Sequence, residues 1–263
     1  MLRSDVIDYK IHGNDMQYVE VELDPGEATI AEAGTMMFKS TSVEMTTISG
    51  DGTGQTSGIL AALKTTGKRV LTGESLFSTV FTNMGRGKAR VAFAAPYPGT
   101  ILPMDLSELG GTLICQKDAF LAAAKGVSID IALQRNIMAG LFGGEGFILQ
   151  KLEGDGLAFI HAGGTVREFR LKPGGRFHVD TGCLVAMEPS VTYEIERAGS
   201  VKSMLFGGEG FFFVKLTGPG RVWLQSLPFA RLAERAVENA YGSSRSGEGS
   251  VLGMLGDLVD GDG

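Results

Sequence analysis

Three glutamates sit in similar glycine-rich surroundings. Glu145 lies in LFGGEGF at Leu141–Phe147, Glu209 in an identical LFGGEGF at Leu205–Phe211, and Glu74 in GESLF at Gly73–Phe77. A glycine cluster with one acid is compatible with a phosphate cradle, a carboxylate site for a hard cation, or a structural turn. A Walker loop needs Lys-Ser/Thr after its glycines and then a helix. A dinucleotide fingerprint needs G-x-G-x-x-G opening a helix. Here Phe-Ile or Phe-Phe and a strand-like run follow instead. The residues Gly73, Gly143, Gly144, Gly207 and Gly208 therefore read as structural turns, and no cofactor is expected. Glu74, Glu145 and Glu209 are weak metal candidates, because three equivalent carboxylates converging on one axis would hold a hard cation. The more ordinary use of such a carboxylate is to accept backbone N–H bonds in its own turn.

Other reactive residues are sparse. The chain has three histidines, His12, His161 and His178, and none has a partner at metal-ligand spacing. No G-x-S-x-G elbow occurs. The two cysteines, Cys115 and Cys183, form no C-x-x-C pair and read as small reduced core residues. Cys183 follows His178 by five positions, so in a regular strand the two would face opposite ways, which argues against a nucleophile–base dyad. No catalytic constellation emerges, and a non-enzymatic role is expected.

Composition narrows the class. Of 263 residues, 43% are hydrophobic and 21% charged, enough apolar surface for a core and too much for a disordered chain. The net charge of -6 gives no overall basic field for nucleic acid. Lys88 and Arg90, with Lys64, Lys68, Arg69 and Arg86 near in sequence, are a local exception. The stretches equivalent to Lys88–Arg90 further along are Leu157–Phe159, with no cation, and Arg221–Trp223, with only Arg221, so solvated surface is the expectation and nucleic acid is not an expected partner. The N-terminus MLRSDVIDYK lacks the apolar region of a secretory signal, and no apolar run reaches a membrane span. A soluble, cytoplasmic protein is expected.

The elements that position these residues are legible through repetition. A shift of 64 positions lays LFGGEGFILQKLEGDG (Leu141–Gly156) on LFGGEGFFFVKLTGPG (Leu205–Gly220), with 11 of 16 positions identical. The same shift lays Leu109–Ala123 on Pro173–Met187. A third copy begins with LDPGEATIAEAGTMM at Leu23–Met37, which aligns with Leu171–Val185. Internal repeats take precedence over single motifs in reading a fold. Three units result, about residues 19–98, 99–163 and 164–227, the first with a Gly/Ser/Thr-rich insertion between Thr47 and Gly73.

Within each unit, runs such as FILQKL and FFFVKL are rich in aromatic and β-branched residues and stop at Gly-x-Gly. Gly154 and Gly156, and Gly218 and Gly220, are expected in turns that join successive strands as hairpins. Phe211–Val214 is apolar at every position, so both faces of that strand should be covered. Pro25-Gly26, Gly110-Gly111 and Pro173-Gly174 should turn the chain in the other half of each unit. Residues 1–227 are expected to form one β domain. Residues 228–263 should hold a helix at Pro228–Tyr241, capped by Ser226, and a Gly-rich tail.

The LFGGEGF…KL.G.G pattern, the LTGESLF variant and the L.PGE start resemble the Altered Inheritance of Mitochondria family over about residues 1–240. The resemblance implies a shortened double-stranded β-helix unit, like that of the tryptophan RNA-binding attenuation protein, tripled in one chain. It also implies homotrimers and, for the mitochondrial members, a role in inner-membrane organisation. It supplies no catalytic residue. The expected fold is thus all-β, three tandem double-stranded β-helix-like units with pseudo-three-fold repetition and a C-terminal helix. The leading functional expectation is a self-assembling scaffold or interaction module whose partner is itself. Two rivals are a ring that binds a small ligand between units or subunits, and a metal-dependent enzyme with a symmetric carboxylate site.

Overall fold

Short β-branched runs punctuated by glycine become strands throughout. The structure, a computed structural model, describes residues 3–49, 77–135, 147–197 and 212–242. The first strands are β1 (Asp8–His12), β2 (Tyr18–Leu23), β3 (Ala28–Glu32), β4 (Met36–Lys39), β5 (Val43–Ser49), β6 (Phe77–Asn83) and β7 (Ala89–Ala94). Next come β8 (Gly99–Asp105), β9 (Thr112–Gln116), β10 (Phe120–Ala124), β11 (Ser128–Arg135), β12 (Phe147–Glu153) and β13 (Leu157–Gly163). The last are β14 (Val166–Leu171), β15 (Arg176–Asp180), β16 (Leu184–Met187), β17 (Thr192–Arg197), β18 (Phe212–Thr217) and β19 (Gly220–Gln225), followed by the helix α1 (Phe229–Gly242). The expected all-β class is observed.

The strands form four sheets, ordered β1-β2-β7-β4, β5-β6-β3-β10-β13-β8, β11-β12-β9-β16-β19-β14 and β15-β18-β17. All their pairings are antiparallel. Successive strands zigzag between neighbouring sheets. β2, β4 and β7 lie in the first sheet and β3, β5 and β6 in the second; β8, β10 and β13 lie in the second and β9, β11 and β12 in the third. β14, β16 and β19 lie in the third, and β15, β17 and β18 in the fourth. Strand starts keep the sequence offset: β9 and β15 begin at Thr112 and Arg176, and β10 and β16 at Phe120 and Leu184, each pair 64 apart.

The Gly-x-Gly turns are therefore corners, not hairpins. β12 and β13 flank Gly154–Gly156 but belong to different sheets, and so do β18 and β19 around Gly218–Gly220. The physical reason lies in the cores. Three apolar clusters join the sheets pairwise, one around Val21, Phe81 and Phe93, one around Leu113, Leu152 and Ile160, and one around Leu149, Val214 and Val222. A chain that turned back into the same sheet at every glycine pair would leave the facing layer of each cluster unfilled. The corners are also tight. Gly154 and Gly220 have φ of +152° and +143°, and a Cβ on Gly156 or Gly218 would come within 2.6 Å of Ser4 Cβ or Leu171 Cβ respectively. Gly154 and Gly156 lie between β12 and β13, Gly218 lies between β18 and β19, and Gly220 opens β19.

Burial follows position in the stack. The inner strands of the two middle sheets are covered on both faces, so β12 buries Phe147, Ile148, Leu149 and Gln150 in succession. In the outer sheet, β2 alternates between half-buried and buried residues. The FFFVKL run departs from expectation here: Phe212 and Phe213 on β18 are only half-buried, because β18 belongs to an outer sheet. Phe211 lies outside the described residues.

By compactness the chain divides after Pro228, and beyond that point the described residues form α1. Leu232 and Ala233 of α1 are half-buried, while Phe229 and Ala236 of the expected apolar stripe are exposed. The expected cap, Ser226, is engaged elsewhere: its Oγ accepts the Thr165 N–H at 2.8 Å, three residues before the helix begins.

Candidate functional site

Most residues that suggested chemistry from their spacing lie outside the described residues. This holds for Glu74, Glu145 and Glu209 and for Gly73, Gly143, Gly144, Gly207 and Gly208. In sequence, the two LFGGEGF stretches fall between the paired strands β11 and β12 and the paired strands β17 and β18. Among the described residues no group of three or more His, Cys, Asp and Glu is placed to hold a metal ion.

The histidines are scattered. His12 on β1 stacks on Tyr18 with ring centroids 4.7 Å apart, and its Nε2 lies 3.8 Å from Glu20. His178 on β15 is exposed, with Nε2 3.4 Å from Glu196. Cys183 is not on that strand. β15 ends at Asp180, and Cys183 closes a 3-10 turn, Thr181–Cys183, so the strand-alternation argument does not apply to it. Cys115 is buried on β9, and burial pushes its thiol up to about 12, which keeps it protonated and unreactive.

His161 on β13 is enclosed by the fold. Its side chain packs edge-on against Tyr97 at 4.4 Å, and neither ring nitrogen has a hydrogen-bond partner among the described residues. Burial pushes its pKa down to about 4, with the nearby Tyr97 backbone opposing this only in part, so it is neutral at pH 7. Gln225 stands 64 residues later and is hydrogen-bonded at both polar atoms: its Oε1 accepts the Gly163 N–H at 2.7 Å and its Nε2 donates to Gly182 O at 2.8 Å. The position is therefore a buried joint between strands, filled by an amide in one place and an imidazole in the other.

The basic cluster is compensated. Lys88 Nζ lies 2.6 Å from Glu22, 3.8 Å from Asp8 and 3.9 Å from Asp24, while Arg90 lies 3.3 Å from Glu20 and 3.7 Å from Glu22. The Lys88 hydrogen bond holds the Glu22 carboxyl below its usual range. Sequence alone showed the cations without the four carboxylates that face them. Lys64, Lys68 and Arg69 lie outside the described residues.

What the sequence did not single out is a pair of sheet edges. β10 pairs with β3, and β16 with β9; these contacts join each half-sheet to the next. β4 is similar to β10 and β16 in length and pairing. All three are four or five residues long and pair with β7, β13 or β19 across the same register shift, at Met36/Phe38, Phe120/Ala122 and Leu184/Ala186. Yet β4 is an edge, as is β15, the counterpart of β9. The consequence is apolar exposure. Met36, Met37 and Phe38 are 36%, 55% and 39% exposed, whereas Phe120, Leu121 and Ala122 are at most 3% exposed. Phe177 on β15 is likewise exposed, and Leu113, 64 positions earlier, is buried. A signal was present in the sequence: MMF keeps large apolar side chains on a strand that ends a sheet.

Comparison with known proteins agrees with this architecture. A curated relative, an uncharacterized protein of Streptococcus pyogenes serotype M6, is 29% identical over 217 residues, covering 82% of this chain and 83% of its own. A crystal structure of a Streptococcus pyogenes protein from a structural genomics programme shares the fold with a TM-score of 0.68 at 23% identity, covering 89% of this chain and 99% of that one. The family described as "Mitochondrial biogenesis AIM24" matches residues 9–227, the whole run of strands from β1 to β19, and the chain belongs to that family.

Proposed function

We infer that the protein is a non-enzymatic, self-assembling β scaffold or interaction module. Its three units, about residues 19–98, 99–163 and 164–227, are related short double-stranded β-helix-like repeats. It associates with identical chains, three in number, and works in the cytoplasm. The observation that carries the reading is the apolar edge strand β4, which leaves Met36, Met37 and Phe38 uncovered where its counterparts β10 and β16 are buried in internal joints. Exposed apolar edge strands promote pairing with another chain. A contact between unlike ends is head-to-tail, and it remains finite only when rotation closes a ring. The number three rests on the family resemblance.

The reactive side chains support the same reading. The buried cysteine is held protonated, the buried histidine neutral, and the exposed lysine and arginine at Lys88 and Arg90 are ion-paired. Sedimentation velocity or light scattering at micromolar concentration tests it. The expected species is a trimer of 27.8 kDa chains. A stable monomer would refute self-assembly, and a stable dimer would refute the number three.

A further inference from the structure

We propose that the joint between copies is an antiparallel pairing of β4 of one chain with β15 of the next, in a single register that sets Phe38 opposite Val179 and Lys39 opposite His178. The proposal rests on the self-assembly just inferred and names the surface and the partner, a second copy of this chain.

Every sheet has two edges, so an edge by itself selects nothing. Among the described residues the edge strands are β1, β4, β5, β8, β11, β14, β15 and β17. Three of them, β5, β11 and β17, are counterparts of one another, and each is an edge wherever it recurs. β8 and β14 are likewise both edges, and β1 covers the outer side of β2. β4 and β15 differ: the counterparts of β4 are β10 and β16, those of β15 are β3 and β9, and these pair with one another as β3 with β10 and β9 with β16. The chain thus holds two finished joints, and one half of the same joint at each end. Among the described residues β4 pairs only with β7, and β15 only with β18.

The register is set by the finished joints. In the first, Ala122 faces Ala31 and Ala123 faces Ile30. In the second, Ala186 faces Cys115 and Met187 faces Ile114. In both, the leading residue is the first one past the register shift within its half-sheet, which on β4 is Phe38. The 64-residue offset carries Cys115 to Val179 and Ile114 to His178, and the alignment of Leu23–Met37 with Leu171–Val185 carries Ala31 to the same Val179. Two independent counts therefore agree on Phe38 opposite Val179. The side chains are suitable. Met36, Met37 and Phe38 would enter the kind of space that Leu184, Val185 and Ala186 fill in the finished joint, where each is at most 1% exposed. Lys39 opposite His178 would lie near Glu196, which is 3.4 Å from the His178 Nε2.

The test uses disulfide trapping in the full chain. Directly opposed residues in an antiparallel pair have Cα atoms about 4.5–5.5 Å apart, within reach of a disulfide, and residues offset by two positions do not. Under mild oxidation the double variant Lys39→Cys/His178→Cys should give covalent multimers, and each single variant should not. The single variants also report any background from Cys115 and Cys183. Lys39→Cys/Arg176→Cys is the register control and should trap at least tenfold less. Met37→Asp, at a position exposed within one chain, should keep the unfolding transition of a folded chain and lose the oligomer in sedimentation. Preferential trapping of the 39/176 pair would overturn the register. An oligomer that neither double variant traps, and that Met37→Asp leaves intact, would overturn the seam while leaving self-assembly standing. A parent chain that sediments as a monomer would overturn both.

Discussion

At the scale of the residue, His161 is a polar side chain that the fold takes out of water. Its imidazole is buried without a hydrogen-bond partner among the described residues, and its pKa falls from the ordinary 6.5 to about 4. Between those values the unfolded chain binds a proton at this site and the native chain does not. Stability therefore falls as pH drops from about 6.5 to about 4, and this residue adds no further loss below that. The neighbours facing it are Tyr97, whose phenol burial and Asp118 push up to about 12, and the backbone of β8. The phenol does not titrate in this window. The carboxylates of Glu22, Asp155 and Glu188, all held low, titrate nearby in pH and are common to any variant. We expect His161→Gln to flatten the acid limb relative to the parent by about 1–3 kcal/mol, measured as the difference in urea unfolding free energy between pH 7 and pH 4.5. An unchanged difference would show that the imidazole does not titrate on unfolding. Gly218 gives a second prediction at this scale. A Cβ there would lie 2.6 Å from both Leu171 Cβ and the Lys172 carbonyl oxygen. Gly218→Ala should cost about 1–3 kcal/mol, whereas Gly87→Ala, with nothing within 4 Å of the added carbon and no φ penalty, should cost under about 1 kcal/mol.

At the scale of the element, a strand's cost of truncation should follow its place in the stack rather than its hydrophobicity. β12 is an inner strand, and Leu152 on it is wholly buried in the middle core. Leu152→Ala should cost about 2–5 kcal/mol by thermal or urea unfolding. Ile195 is as apolar but sits on β17, an outer edge strand, and is half-buried. Ile195→Ala should cost clearly less. Equal losses at the two positions would mean that the outer sheet is covered in solution by something beyond the single chain. The corner turns belong to this scale as well. Gly-x-Gly between two apolar runs looks the same in sequence whether it closes a hairpin or carries the chain to another layer. Here Gly154–Gly156 separates strands of different sheets because each strand fills a different layer.

At the scale of the whole molecule, assembly and folding should be linked. Any contact made by the native chain and not by the unfolded one raises apparent stability with concentration. Tenfold more chain should raise Tm by a few degrees if Met36, Met37 and Phe38 are buried between copies, and Met37→Asp should abolish the dependence. A Tm independent of concentration in the parent would argue against assembly at those concentrations. The exposed ion pairs around Lys88 should contribute little: they are solvated and screened, so raising salt should leave the unfolding midpoint nearly unchanged.

Much was legible before any coordinates. The strands, the glycine turns and the all-β class derive from residue types and from the 64-residue offset, because period-two apolar runs and glycine punctuation are local properties. The helix after Pro228 was readable from its spacing. Which sheet each strand joins was not. Hairpin and corner share one local pattern, and the choice between them depends on where distant strands such as β3 and β10 meet. The same long-range pairing decided that Lys88 faces Glu22, that His161 is enclosed while His178 is exposed, and that Phe212–Thr217 lies in an outer sheet while Phe147–Glu153 lies in an inner one. Above all it decided that β4 and β15 are edges. The sequence determined that stretches 64 residues apart resemble one another, because that likeness is local; only the tertiary structure determined that β3 pairs with β10 and β9 with β16, while β4 and β15 each end a sheet, because those pairings join strands distant in the chain.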